Sequence, residues 1–176
     1  KTSGDATIRL KQDLTLNRAF QVDGTLDLTT LGNFYNRTQL VTGKGLRVKA
    51  NTIENPLNSE LSAENTAIEA NHLTNRGLID GVSNVIKVGA LDNLGTGRIY
   101  GDHLAIQADN LRNDQETVNG ETKSATIAAR ARLELGVGTL TNRDHALIFS
   151  LGDMHIGGQL DADNHATGKA GFIDNG

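Results

Sequence analysis

Three acids, Asp92, Asp102 and Asp109, recur within one short stretch of the chain. Carboxylates on adjacent turns of a repeat could serve as general acid and base on a glycosidic bond, so polysaccharide cleavage is one reading of the sequence. These acids sit beside turn residues, lack neighbouring aromatics to stack a sugar ring, and are matched by nearby basic residues. A solvated face is the reading they support better. His72, His103, His145, His155 and His165 share no metal-ligand spacing and read as separate surface or turn residues. Asp161 and Asp163 form a D-x-D that could hold a cation, but no Gly-rich calcium repeat surrounds them. Asn36-Arg37-Thr38 is a lone glycosylation sequon. The sequence thus points to no catalytic residue, no metal and no cofactor.

The elements that would carry such residues are legible in the composition. Of 176 residues, 37% are apolar but only 3% aromatic, so the core must be built from Leu, Ile, Val and Ala. Twenty Gly against one Pro imply many sharp turns. Cysteine is absent, which excludes a disulfide framework and thiolate metal sites. A net charge of −4 is spread over interspersed signs, and the densest basic stretch is only Arg130, Arg132 and, further off, Lys123. Nucleic acid selects clustered Lys and Arg, so no nucleic-acid partner is expected. The longest apolar run, "ALIFSL", is far below the roughly 18 residues of a transmembrane segment. The chain opens on Lys1 with no signal peptide and closes in "FIDNG", and reads as an interior piece of a longer protein.

One pattern recurs: apolar, any, apolar, any, any, Leu or Ile, any, Asn. It fits Leu26, Leu28, Leu31, Asn33 and then Val48, Ala50, Ile53, Asn55. Further copies end at Asn75, Asn93, Asn113 and Asn142, giving Asn-to-Asn steps of 22, 20, 18, 20 and 29. Alternation with period two means a strand with one buried face, and the phase shift before Leu-x-Asn means a bend into a second strand. A unit of about twenty residues with two or three short strands cannot enclose a core alone. Coiled and stacked, each strand pairs in parallel with its equivalent one coil away, about 4.8 Å along the axis. The chain is therefore all-β, a parallel β-helix of about eight coils. A β-sandwich also uses short strands but does not demand the same residue every twenty positions. The six Asn read as a structural ladder of stacked amides, with tolerance of the left-handed turn as a second cause of their recurrence.

The repeat breaks twice. The step from Asn113 to Asn142 carries extra residues, placing an insertion over 114–132, with "TVNGET" as a hairpin on a type I′ turn. Glu116, Asn119, Glu121 and Lys123 are its candidate binding residues, set against a tolerated surface insertion with no partner. Residues 143–172 form less regular coils, where "GDMHIGG" keeps the phase of "GDHLAIQA" with Met154 in the place of Leu104.

Six copies of the Leu-x-Asn pattern, with "LTNRGLIDG", "GDHLAIQADNL" and "GDMHIGGQLDADN", resemble the repeats of filamentous haemagglutinin-like exoproteins. These are the TpsA proteins of two-partner secretion, which include adhesins and contact-dependent inhibition proteins. The resemblance covers roughly residues 8 to 176. It implies a right-handed β-helix, export through an outer-membrane TpsB transporter, and display on or release from a Gram-negative surface. The family's secretion domain carries Asn-Pro-Asn; here the nearest match is "ENPLN" (54–58), and no pretoxin motif is present. What the resemblance implies is an interior shaft segment, structural or adhesive, with a host-cell or bacterial-cell receptor or glycan as partner. A passive stalk of a contact-dependent toxin-delivery protein is the related alternative.

Overall fold

The inward side chains alternate in register from coil to coil, and that repetition builds the molecule. A computed structural model describes residues 3–19 and 21–176. It is all-β: a parallel β-solenoid of about eight turns. Each full coil has three faces. The second and third faces begin with β1 (Ala6–Leu10) and β2 (Leu14–Leu16), then β3 (Thr25–Thr30) and β4 (Phe34–Asn36). The first face enters with β5 (Gln39–Val41), followed by β6 (Gly45–Lys49) and β7 (Thr52–Asn55). From there the strands run continuously around the bends: β8 (Glu60–Asn75), β9 (Leu78–Leu94) and β10 (Arg98–Val118). β11 (Glu121–Ser124) returns alongside β10, and β12 (Thr126–Asn142) makes the next coil. The last coil is split into β13 (Leu147–Ser150), β14 (Asp153–Gly157) and β17 (Phe172–Asn175), with the short β15 (Gln159–Leu160) and β16 (Ala166–Thr167) between them.

Apolar columns from all three faces fill the interior. On the second face Ile8, Leu28, Val48, Ile68, Ile86, Ile106, Leu135 and Ile156 stack in register. On the third face the column runs through Phe34, Ile53, Leu73, Leu91, Leu111 and Leu140, and on the first through Leu40, Leu61, Ile79, Ile99 and Ile127. Most of these side chains are wholly buried. Aliphatic side chains suit this stacking because each column is only one coil spacing deep per residue. A β-branched or γ-branched group fills that spacing, and a ring does so only where the bend leaves room.

The first copy of the repeat runs in a different phase from the one its sequence suggests. Leu28, not Leu26, pairs with Val48, and Phe34, not Leu31, pairs with Ile53. Leu31 is 74% exposed, whereas Phe34 is fully buried. This coil spends extra residues at its bend, so a template with fixed internal spacing slides onto the wrong Leu. Asn33 moves out of the ladder with it, and Asn36 takes the inward place.

Candidate functional site

Seven inward amides form one chain of hydrogen bonds. The Nδ2 of Asn36 donates to Oδ1 of Asn55 at 2.9 Å, and Asn55 to Asn75 at 2.7 Å. Asn75 donates to Asn93, Asn93 to Asn113, Asn113 to Asn142 and Asn142 to Asn175, each at 2.8 Å. Every bond points the same way along the axis. From Asn36 to Asn142 the second N–H of each amide holds a backbone carbonyl where the chain enters the following strand, as in Asn55 to Leu78 at 3.1 Å and Asn93 to Thr126 at 3.1 Å. From Asn55 to Asn142 both donors and the acceptor are thereby used, which is what a buried amide requires. The left-handed turn is not a cause of their recurrence: among the described residues the non-glycine positions with positive φ are Asn58, Asn119, Asp144, His145 and Asn164, and no ladder residue is one of them.

The ladder reaches two residues that the Leu-x-Asn template missed, Asn36 and Asn175. Asn175 lies in "FIDN", which carries the pattern after a long insertion. Asn36 was hidden by the phase slip of the first coil. Its burial also bears on the sequon: Asn36 is 0% exposed and its Nδ2 is committed to Asn55 and to the Glu60 carbonyl, so the folded chain offers no acceptor there. Below Asn36 stands Leu16, which has no donor, and the Asn36 Oδ1 is left without a partner.

Asn33 belongs instead to a short outer column. Asn51 donates to it at 3.0 Å and Asn71 to Asn51 at 2.9 Å, in the opposite direction and in the solvent.

The insertion is an antiparallel hairpin in which Glu116 faces Lys123 and Val118 faces Glu121. Asn119 and Gly120 have φ of 53° and 82°, the two positive values of a type I′ turn. The three residues between Leu94 and Arg98 are matched by eleven between Asp114 and Thr126. The hairpin does not stand free. Arg76, two coils back, forks onto Glu116 with bonds of 2.6 and 2.7 Å. That Arg76 hydrogen bond holds the Glu116 carboxyl below the usual range despite partial burial. At its base, burial pushes the Asp114 carboxyl up, but hydrogen bonds from Arg112 and the Gln115 amide outweigh it and leave it lowered. Of the four candidate binding residues, Glu116 is thus spent on fastening. Asn119 is at the turn, and Glu121 and Lys123 lie exposed and 3.6 Å apart.

A second fastening gathers histidines that the sequence keeps apart. Glu134 is almost fully buried under the β15–β16 hairpin; it accepts from the Ala166 amide at 2.7 Å and His155 Nδ1 at 2.9 Å and forms an ion pair with Arg132 Nε at 3.1 Å. His165 Nδ1 lies 3.8 Å away and 3.3 Å from Arg132. Burial raises the Glu134 carboxyl, but the Ala166 amide and His155 bring it below its ordinary value. Gly136 is required here: a Cβ would meet the Gln159 carbonyl carbon at 2.4 Å. His155 and His165 are therefore neighbours, and His72 is bonded to Asp92 at 2.8 Å. His72 with Asp92 and Glu134 with His155 are one coil step apart, whereas His165 is brought in by the hairpin fold-back, which leaves no spacing in the sequence.

The acids weighed for sugar chemistry are dispersed. Asp102 and Asp109 lie at the bends on either side of strand segment 103–108, about 20 Å apart at the rise of an extended chain. Carboxylate pairs that hydrolyse glycosides stand about 5–10 Å apart. Asp102 is bonded to Arg130 at 2.9 Å. Asp161 uses Oδ1 to cap the amides of Asp163 and His165, both at 2.9 Å. Among the described residues no group of three His, Asp or Glu side chains is placed to hold a metal ion. No family model, curated protein or solved structure matches the chain.

Proposed function

We propose that the chain is a structural and adhesive shaft segment of a secreted bacterial surface exoprotein, exported through a TpsB-type transporter and displayed at a Gram-negative surface. In this reading it attaches to host or neighbouring cells, or projects a distal effector. The likeness of its repeats to two-partner-secretion exoproteins supports the export and the surface location. The observation that carries the mechanical part is the unbroken amide ladder through seven coils, with every coil in parallel register on the last. Such a stack extends roughly 40 Å at the parallel-strand spacing and resists bending, because every coil is tied to both neighbours by backbone and side-chain bonds. Each coil needs only its predecessor as template, which suits folding in order of emergence.

The exposed end of the β10–β11 hairpin, with Val118, Asn119, Glu121 and Lys123, is the surface offered to a receptor or glycan. The test is binding of labelled chain to epithelial cells and Gram-negative bacteria. Residues 115–125 are then replaced by Gly-Thr-Gly, the three-residue turn that joins Leu94 to Arg98 one coil earlier. Saturable binding lost on replacement supports adhesion through the hairpin. Absence of binding by the folded parent to either cell type removes adhesion and leaves a spacer.

A further inference from the structure

The outward side of the second face carries a trough whose floor is made of small residues. Stacked in register along it are Arg47, Ala67, Val85, Ala105 and Glu134. Its C-terminal end is filled by the chain itself. There the β15–β16 hairpin lies on the trough, Leu160 is only 9% exposed, and the Leu160 amide donates to Gln107 Oε1 at 3.0 Å. The loop of that hairpin carries Asp161 and Asp163. What the hairpin lays on the trough is the aliphatic Leu160, while Asp161 turns back to cap the amides of its own loop.

Towards the N-terminal end the trough is open, with a volume of about 320 Å³. Most charges there are paired: Lys49 with Glu69 at 2.6 Å and Arg9 with Asp27 at 3.5 Å. Arg47 and Lys87 line the opening and make no ion pair or hydrogen bond among the described residues. They stand two coils apart, about 10 Å along the axis. Ala67 and Val85 lie between them, and no aromatic side chain lines the opening on which a sugar ring could stack.

We propose that the open part of the trough docks an extended acidic peptide segment. Aliphatic side chains rest over Ala67 and Val85, as Leu160 of the chain's own hairpin covers the trough further along, and carboxylates reach the unpaired Arg47 and Lys87. The inference rests on the fold and on the hairpin contact, not on cell adhesion, and the two tests fail independently because the β10–β11 hairpin is untouched here.

The probe is a fluorescein-labelled octapeptide of alternating Asp and Leu, titrated with the 176-residue chain and followed by anisotropy. Saturable binding is expected at 50 mM salt, weakening as salt rises. Two exposed pairs together account for about a ten-fold loss in the Arg47→Ser, Lys87→Ser double variant. Lys123→Ser is expected to bind like the parent. Both altered side chains are exposed and unpaired, so an unchanged melting temperature serves as the folding control. Equal binding of an Asn–Leu octapeptide, an undiminished double variant, or no saturable binding at low salt each overturns the proposal. So does capture of polygalacturonate without capture of the peptide, which makes the trough a glycan site.

Discussion

The molecule holds two columns of asparagine built from the same residue at nearly the same spacing, and they do opposite amounts of work. The inner column runs from Asn36 to Asn175, is largely buried and uses both amide donors of every member from Asn36 to Asn142. The outer column, Asn33, Asn51 and Asn71, stands in water and stops where Gly89 takes the next position. A bond between buried amides has no competing solvent, and its loss strands a desolvated group. A bond between exposed amides exchanges freely with water. Recurrence of a residue type therefore says that a position repeats. Burial says what the repetition is for.

The sharpest way to break the comparison is to substitute one member of each column. Asn93→Leu strands the Asn113 Oδ1 and the Thr126 carbonyl while Asn75 retains carbonyl partners at Gly77 and Arg98. Two buried orphan acceptors cost about 2–6 kcal/mol in total. Asn51→Ala removes only exposed bonds, and its effect is expected to stay within about 0.5 kcal/mol. Urea unfolding of both variants checks this directly. Equal destabilisation would mean that the inner amides contribute no more than surface ones.

Phe34→Ala against Leu31→Ala tests the phase that separates the columns. Emptying the buried Phe34 site is expected to cost about 3–5 kcal/mol. Leu31, mostly exposed, should tolerate the change within about 0.5 kcal/mol. The reverse ranking would return Asn33 to the ladder. This coil also marks what could and could not be read from the sequence. Alternation, Leu-x-Asn and the twenty-residue step specify coils, faces and ladder wherever bends have constant length. The type I′ hairpin is legible because Asn119-Gly120 carries its own backbone preference. An extra residue at a bend has no such signature, so the first copy slides. The Arg76–Glu116 fork spans two coil steps and His155 lies one coil from Glu134, but the Leu-x-Asn template marks only inward positions and says nothing of outward pairs, and His165 and Ala166 reach Glu134 only through the hairpin fold-back.

The same contrast between buried and exposed partners governs charge. Glu116, Asp114 and Glu134 all have carboxyls held below their ordinary values. A depressed folded pKa contributes stability above the unfolded value, and that contribution disappears as pH falls through the folded one. Acidification below about 4.5, the ordinary glutamate value, is therefore expected to release both hairpins while the uncharged ladder holds the coils. Amide exchange measured between pH 5 and 3 should rise first in 115–124 and 159–167. Simultaneous loss of protection in the coil strands would show that the fastenings and the stack are one cooperative unit.

The smallest expected effect lies at the end of the inner column. Asn36 Oδ1 is buried without a partner because Leu16 lies in register with it. Leu16→Asn places an amide where its Nδ2 can donate to that oxygen, adding a rung in the direction the others follow. Leu16 is only half-buried, so less apolar area is lost than at a core site. A hydrogen bond to a formerly unsatisfied acceptor contributes about 1 kcal/mol, partly offset by the leucine removed. A rise of a degree or two in Tm is expected, and Leu16→Ala, which loses the same apolar contact without gaining a donor, should fall below the parent. If both variants lose stability equally, the orphaned oxygen carries no cost, and ladder rungs matter only when they have a neighbour on each side.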